Sequence, residues 1–193
     1  TVEFHYDYGS PAAYLAWTQL PRLAQETGAT VDMRPMLLGG VFQATGNRSP
    51  VSVPAKGRYT FTDFGRFARR YGVPLNPNPF FIINTLVPMR AAVGLQLRDP
   101  GLLPAFDAAM FRSIWIDAQN MNDPEVVARV WTAAGFDAAQ LLALASDPEV
   151  KERLKAVTQE AVDRGVFGAP TFFVGDQMFW GQDRIDFLKE ALQ

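Results

Sequence analysis

Cysteine is absent from the 193 residues, and histidine occurs once, as His5. Without cysteine there is no disulfide, no thiolate metal site and no thiol chemistry of the chain's own. A single histidine argues against a Ser-His-Asp triad and against a multi-histidine metal centre. No run approaches the roughly 18 apolar residues of a membrane span. Thr1 to Tyr8 also lacks the basic-then-apolar order of a secretory signal, so a cytoplasmic protein is expected. Neither sign of charge is in excess: 18 basic and 20 acidic residues leave a formal charge of -2. No long-range field draws in a polyanion, and nucleic acid is not an expected partner. If sulfur chemistry takes place, a ligand brings the sulfur.

What is present is the composition of a packed globular chain, with 48% hydrophobic and 20% charged residues. The length suits one domain, or one domain carrying an insertion. Val2, Phe4, Tyr6 and Tyr8 alternate with Glu3, His5 and Asp7, the period of a half-buried strand in which His5 is structural. Gly9-Ser10-Pro11 breaks it. Ser10 is a good helix N-cap and Pro11 a good first helical residue, because its missing N–H goes unused there. The helix that follows presents Tyr14, Trp17, Leu20 and Leu23 and ends before Gly28. Residues 30–35 predict a second strand, and strand–helix–strand order favours a parallel pair.

From Met36 to Pro54 the chain is rich in Gly, Ser, Asn and Pro and reads as one long loop, a length usually tied to function or mobility. Helical spacing then recurs over Phe61–Tyr71. After the extended Asn76-Pro77-Asn78-Pro79 it recurs again over roughly 82–97, 102–118, 124–134, 138–145 and 148–164. Asp123-Pro124 and Asp147-Pro148 repeat the cap-then-proline start. Beyond Gly165, Thr171–Val174 and Gln177–Trp180 flank Gly175-Asp176 as a hairpin, and Asp183 is placed to cap a closing helix. Without the helical block, residues 1–39 and 165–193 read βαβ then ββα. That is the order of a thioredoxin-like α/β domain carrying an all-helical insertion, here residues 40–164.

Ser10 has two readings. It is a helix cap, or it is a donor to a bound thiolate at a site already favourable to anions. One charge-assisted hydrogen bond supplies roughly 1.5–3 kcal/mol. The helix terminus adds about 0.3–1 kcal/mol. Together they bring a thiol of pKa near 8.5 toward neutrality, at about 1.4 kcal/mol per pKa unit. Pro170 opens a strand without a ladder donor, and the sequence is compatible with either isomer of the Ala169–Pro170 bond.

Gly9-Ser10-Pro11 after an aromatic strand, Leu37-Leu38-Gly39-Gly40, Ala44-Thr45-Gly46-Asn47 and Lys56 with Tyr59 are followed by two longer motifs. These are Gly165-Val166-Phe167-Gly168-Ala169-Pro170-Thr171 and Phe179-Trp180-Gly181-Gln182-Asp183-Arg184. In this order they resemble the 2-hydroxychromene-2-carboxylate isomerase family, which is similar to kappa-class glutathione transferases and to the disulfide oxidoreductase DsbA. The resemblance spans nearly the whole chain. It implies a thioredoxin-like fold, glutathione as cofactor, a small aromatic substrate and a homodimer. It also implies roles: Ser10 binds the glutathione sulfur, Ala169 pairs with the tripeptide backbone, Gln182 and Asp183 hold the γ-glutamyl end, and Asn47 and Lys56 contact the glycyl end.

These roles make physical sense. Asp183 can pair with the ammonium of glutathione, and Lys56 can neutralise the glycyl carboxylate as a mobile point charge. Each also has a plainer reading, as a cap and as a solvated lysine. On the insertion, Asn84 is a candidate contact to the substrate and Arg90 a candidate ion-pair partner. Phe80, Phe81 and Trp115 are core aromatics, or line an aromatic pocket. The reaction implied is conversion of 2-hydroxychromene-2-carboxylate to trans-o-hydroxybenzylidenepyruvate. The alternatives are a kappa-like transferase, an isomerase of another aromatic compound, or a thioredoxin-fold binding module without catalysis. Dithiol exchange is excluded, because Ser10-Pro11-Ala12-Ala13 stands where Cys-x-x-Cys would be.

Overall fold

The computed structural model describes residues 1–193. Strand β1 (Val2–Tyr6) leads into α1 (Pro11–Thr27) and β2 (Val31–Pro35), followed by α2 (Leu38–Thr45) and α3 (Pro54–Tyr71). The helical run continues with α4 (Leu86–Arg98), α5 (Leu103–Trp115), α6 (Pro124–Ala133), α7 (Ala138–Ser146) and α8 (Pro148–Asp163). The chain closes with β3 (Thr171–Val174), β4 (Gln177–Trp180) and α9 (Ile185–Ala191). The strands form one four-stranded sheet in the order β2-β1-β3-β4. β1 and β2 are parallel, with Phe4 opposite Met33; β3 runs antiparallel to both β1 and β4. This is an α/β thioredoxin-like core with an inserted all-helical subdomain.

Side-chain caps set four of the nine α-helix starts. Ser10 Oγ accepts from the Ala13 N–H, and Asp123, Asp137 and Asp147 accept from the first amides of α6, α7 and α8. Gly28, Gly46 and Gly72 end α1, α2 and α3 in the left-handed conformation that glycine adopts without steric cost.

Three sequence expectations are corrected. The segment 36–54 is not one loop: it contains α2 and a short 3-10 turn at Pro50–Ser52. Gly39 and Gly40 weaken helix propensity there, but tertiary packing wins. Val41 is buried with Met36, Ala161, Val166 and Phe173, and Gly40 lies close to the Thr158 methyl. Full burial of one such side chain is worth about 1.5–3 kcal/mol. The helix expected from about residue 82 begins only at Leu86, after an irregular stretch that includes a cis Phe81–Ile82 bond. Finally, the first strand is covered on both faces. Val2, Phe4 and Tyr6 pack in the main core with Leu15, Phe111 and Phe172, while His5 is buried on the α8 side with its ring against Phe173.

Candidate active site

Ser10 sits where β1 has ended and α1 begins, 5% exposed. Its hydroxyl accepts from Ala13 N at 3.1 Å and donates to the Ala169 carbonyl at 3.1 Å. The bond between Ala169 and Pro170 is cis. The two sequence motifs that looked separate, Gly9-Ser10-Pro11 and Gly168-Ala169-Pro170, therefore meet through one side chain across 159 positions. The Ala169 N–H has no main-chain acceptor. The corner thus presents a helix N-terminus, a hydroxyl and an unpaired amide together, a combination suited to an anion attached to a peptide.

Asp7 holds this corner in place. Its main-chain carbonyl accepts from Ser10 N, and one carboxylate oxygen accepts from Gly9 N at 2.8 Å and from the Thr85 hydroxyl at 2.7 Å. The other oxygen accepts from Leu38 N at 2.8 Å. The side chain is 1% exposed. Burial raises its pKa, and the donors from Gly9, Thr85 and Leu38 pull it back down. One carboxylate therefore ties the Ser10 turn to the start of α2 and to the insertion. A second buried carboxylate, Asp107 of α5, accepts from the Tyr6 hydroxyl at 2.8 Å and the Tyr8 hydroxyl at 2.6 Å. Burial pushes its pKa up to about 7 despite both phenols. Trp115 is fully buried and donates from Nε1 to the Tyr8 carbonyl at 2.7 Å, so it is a core residue that braces the strand end. Sequence reasoning passed over Asp7 and Asp107. The one signal for Asp7 was an acidic residue beside the Gly-Ser-Pro turn.

The other expected residues are distributed as follows. Asn47 is exposed and its side chain is engaged internally: Nδ2 donates to the Phe167 carbonyl at 2.7 Å, and Oδ1 accepts from Arg48 N. It anchors the loop that carries Ala169. Lys56 is exposed in the first turn of α3. Gln182 is 4% exposed and accepts twice from the Tyr71 hydroxyl, at its main-chain carbonyl and at Oε1. Asp183 is exposed and pairs with Arg184 at 2.7 Å. It does not cap the closing helix as expected, because a 3-10 turn over Gln182–Arg184 intervenes and moves the N-cap of α9 to Arg184. Asn84 is exposed, and its Oδ1 accepts from Leu86 N at the start of α4. Arg90 has no carboxylate within ion-pair distance, and its Nε is buried without a partner, so the expected ion pair is not formed. Of the core aromatics, Phe81 packs against Phe61 and Trp115, while Phe80 is 46% exposed.

A family model described as a DSBA-like thioredoxin domain matches residues 1–193. The chain belongs to the DSBA-like thioredoxin family. Within that family it is similar to 2-hydroxychromene-2-carboxylate isomerase of Sphingobium xenophagum, 34% identical over 197 residues, which span 100% of this chain and 97% of the relative. Glutathione S-transferase kappa 1 of Homo sapiens is 28% identical over 204 residues, covering 100% of this chain and 90% of its own. A solved structure of 2-hydroxychromene-2-carboxylate isomerase superposes with a TM-score of 0.83 at 30% identity, over 99% of this chain and 93% of that one.

This member of the DSBA-like family has no cysteine, so dithiol exchange by its own side chains has no chemical basis. Its isomerase and transferase relatives are enzymes by name. No group of His, Asp and Glu side chains is arranged to hold a metal ion, and no helix is long and apolar enough to cross a membrane.

Proposed function

We propose that this protein is a glutathione-dependent isomerase that converts 2-hydroxychromene-2-carboxylate to trans-o-hydroxybenzylidenepyruvate. The observation that carries the proposal is Ser10, a hydroxyl at a helix N-terminus bonded to the carbonyl of the residue before the cis-proline. Three groups of the chain support the tripeptide as its ligand. Ala169 offers an amide without an internal acceptor, Lys56 a solvent-facing cation, and Asp183 a carboxylate on the turn that follows β4. When bound, glutathione would supply a nucleophilic sulfur able to add reversibly to a conjugated carbon, which frees the adjacent double bond to rotate.

The chain's own task is to lower the cost of that sulfur's negative charge and to orient both partners. Ser10 turns its O–H from the Ala169 carbonyl toward the sulfur, keeping its acceptor role at Ala13 N. Ala169, Gln182 and Asp183 hold the tripeptide, and Lys56 balances its glycyl carboxylate. Asn47 acts indirectly, by fixing the Phe167 carbonyl in the Ala169 loop. Asn84, at the insertion edge, is assigned a contact to the aromatic substrate. We assign residues 1–39 and 165–193 to the thioredoxin-like domain and 40–164 to the insertion, a boundary that falls inside α2. The reading includes a cytoplasmic homodimer.

The test follows the chromene with and without glutathione while free thiol is titrated. Turnover that needs glutathione and leaves its concentration unchanged is expected. Stoichiometric thioether formation would favour a kappa-like transferase, and turnover without glutathione would exclude the proposal.

A further inference from the structure

Tyr71 is the last residue of α3, and its ring packs beside Phe67. Its hydroxyl lies 2.8 Å from Gln182 Oε1 and 3.1 Å from the Gln182 main-chain carbonyl, so one O–H is shared between the side chain and backbone of the same residue. Gln182 is the buried member of the Gly181-Gln182-Asp183 turn. The far side of that turn is pinned by Gly181 N donating to the Pro170 carbonyl at 3.0 Å. Gly181 has φ 111°, a conformation open to glycine, and a Cβ there would come within 2.7 Å of Asp183 Oδ1. The turn is thus suspended between the Ala169-Pro170 segment and the end of α3.

Asp183, the outer member of the turn, borders a cleft. This cleft, of about 260 Å³, opens between α1, α3 and α9, lined among others by Gln19, Arg22, Phe67, Tyr71 and Asp183. Tyr71 lines this cleft, and its hydroxyl ties α3 to Gln182 beside it. Burial and then the nearby Asp183 charge raise the phenol's pKa to about 12, which keeps it a donor throughout the neutral range. With Oε1 of Gln182 accepting from Tyr71, the amide's Nε2 makes no hydrogen bond within the protein.

We propose that Tyr71 is a positioning residue that fixes the Gln182–Asp183 turn, and thereby sets discrimination between glutathione and thiols that lack the γ-glutamyl group. This inference rests on the glutathione reading above and goes beyond it in naming a residue on the insertion that selects one end of the cofactor. The expected size is that of one hydrogen bond, about 3–10-fold in affinity.

The experiment is calorimetric titration of the wild-type chain and of Tyr71→Phe with glutathione and with cysteinylglycine, alongside steady-state kinetics. Tyr71→Phe should weaken glutathione by about 3–10-fold, and raise its KM by the same factor, while cysteinylglycine changes less than about twofold. Equal weakening of both thiols would mark a general loosening of the fold and overturn the inference. Unchanged affinity for both would overturn it as well, with the glutathione reading intact. Failure of the wild-type chain to bind glutathione would overturn the underlying reading, and this inference with it.

Discussion

Replacing Ser10 with alanine should produce two effects of different size that appear in different measurements. The hydroxyl caps α1 through Ala13 N, and losing a serine cap costs about 1 kcal/mol. For a domain of this length that is a fall in Tm of about 2–4 °C. The second effect concerns the bound thiol. In the free protein the Ser10 proton is already used by the Ala169 carbonyl. Turning it to a thiolate exchanges a neutral hydrogen bond worth about 0.5–1.5 kcal/mol for a charge-assisted one worth about 1.5–3 kcal/mol. The net gain is about 1–1.5 kcal/mol, or about one pKa unit. Ser10→Ala should therefore raise the pKa of enzyme-bound glutathione by about one unit. It should lower kcat about tenfold where ionisation limits the rate, with the deficit shrinking as pH rises above the thiol pKa. The thiolate's ultraviolet absorbance, titrated in the complex, reads the first quantity, and the pH–rate profile reads the second. A variant that loses its 2–4 °C of Tm yet keeps the wild-type thiolate titration and pH–rate profile would show that Ser10 is a cap and nothing more.

Thr85→Val removes one donor from the buried Asp7 carboxylate and should cost about 1.5–3 kcal/mol in chemical denaturation at neutral pH. The deficit should narrow as pH falls and Asp7 takes up its proton, since the lost bond favours the ionised form. Asp107 binds its proton more tightly in the folded chain than in the unfolded one, so its contribution to stability is fully present below the ordinary value of 3.8 and is lost progressively as pH rises to about 7. Asp107→Asn should be flatter over that window than the wild type, whose excess slope integrates to at most about 4 kcal/mol. Lys56→Met should raise the KM for glutathione by no more than about fivefold, because an exposed ion pair is worth about 0–1 kcal/mol. The difference should vanish in high salt.

What the sequence made legible was local. Ser10-Pro11, Asp123-Pro124 and Asp147-Pro148 place cap and proline side by side, and all three helix starts stand where those pairs predict. The hairpin around Gly175-Asp176 is legible for the same reason. The supports of the site were not legible, because each joins residues far apart in the chain. Asp7 meets Leu38 and Thr85 across 31 and 78 positions, Asp107 meets Tyr6 across 101, and Tyr71 meets Gln182 across 111. α2 was hidden by two glycines whose propensity points away from a helix, although the contacts that stabilise it come from α8. Asp183 shows the converse. Its local pattern is that of a cap, yet an intervening 3-10 turn carries it out of position and leaves it to Arg184.

The grip of Asp7 on three separate stretches bears on how this scaffold can be re-engineered. Pulling the helical lobe away from the sheet would take the Thr85 hydroxyl from this buried carboxylate, so any widening of the notch beside Ser10 costs a buried hydrogen bond. A chimera that borrows its lobe from another protein must import a hydroxyl at position 85 along with it.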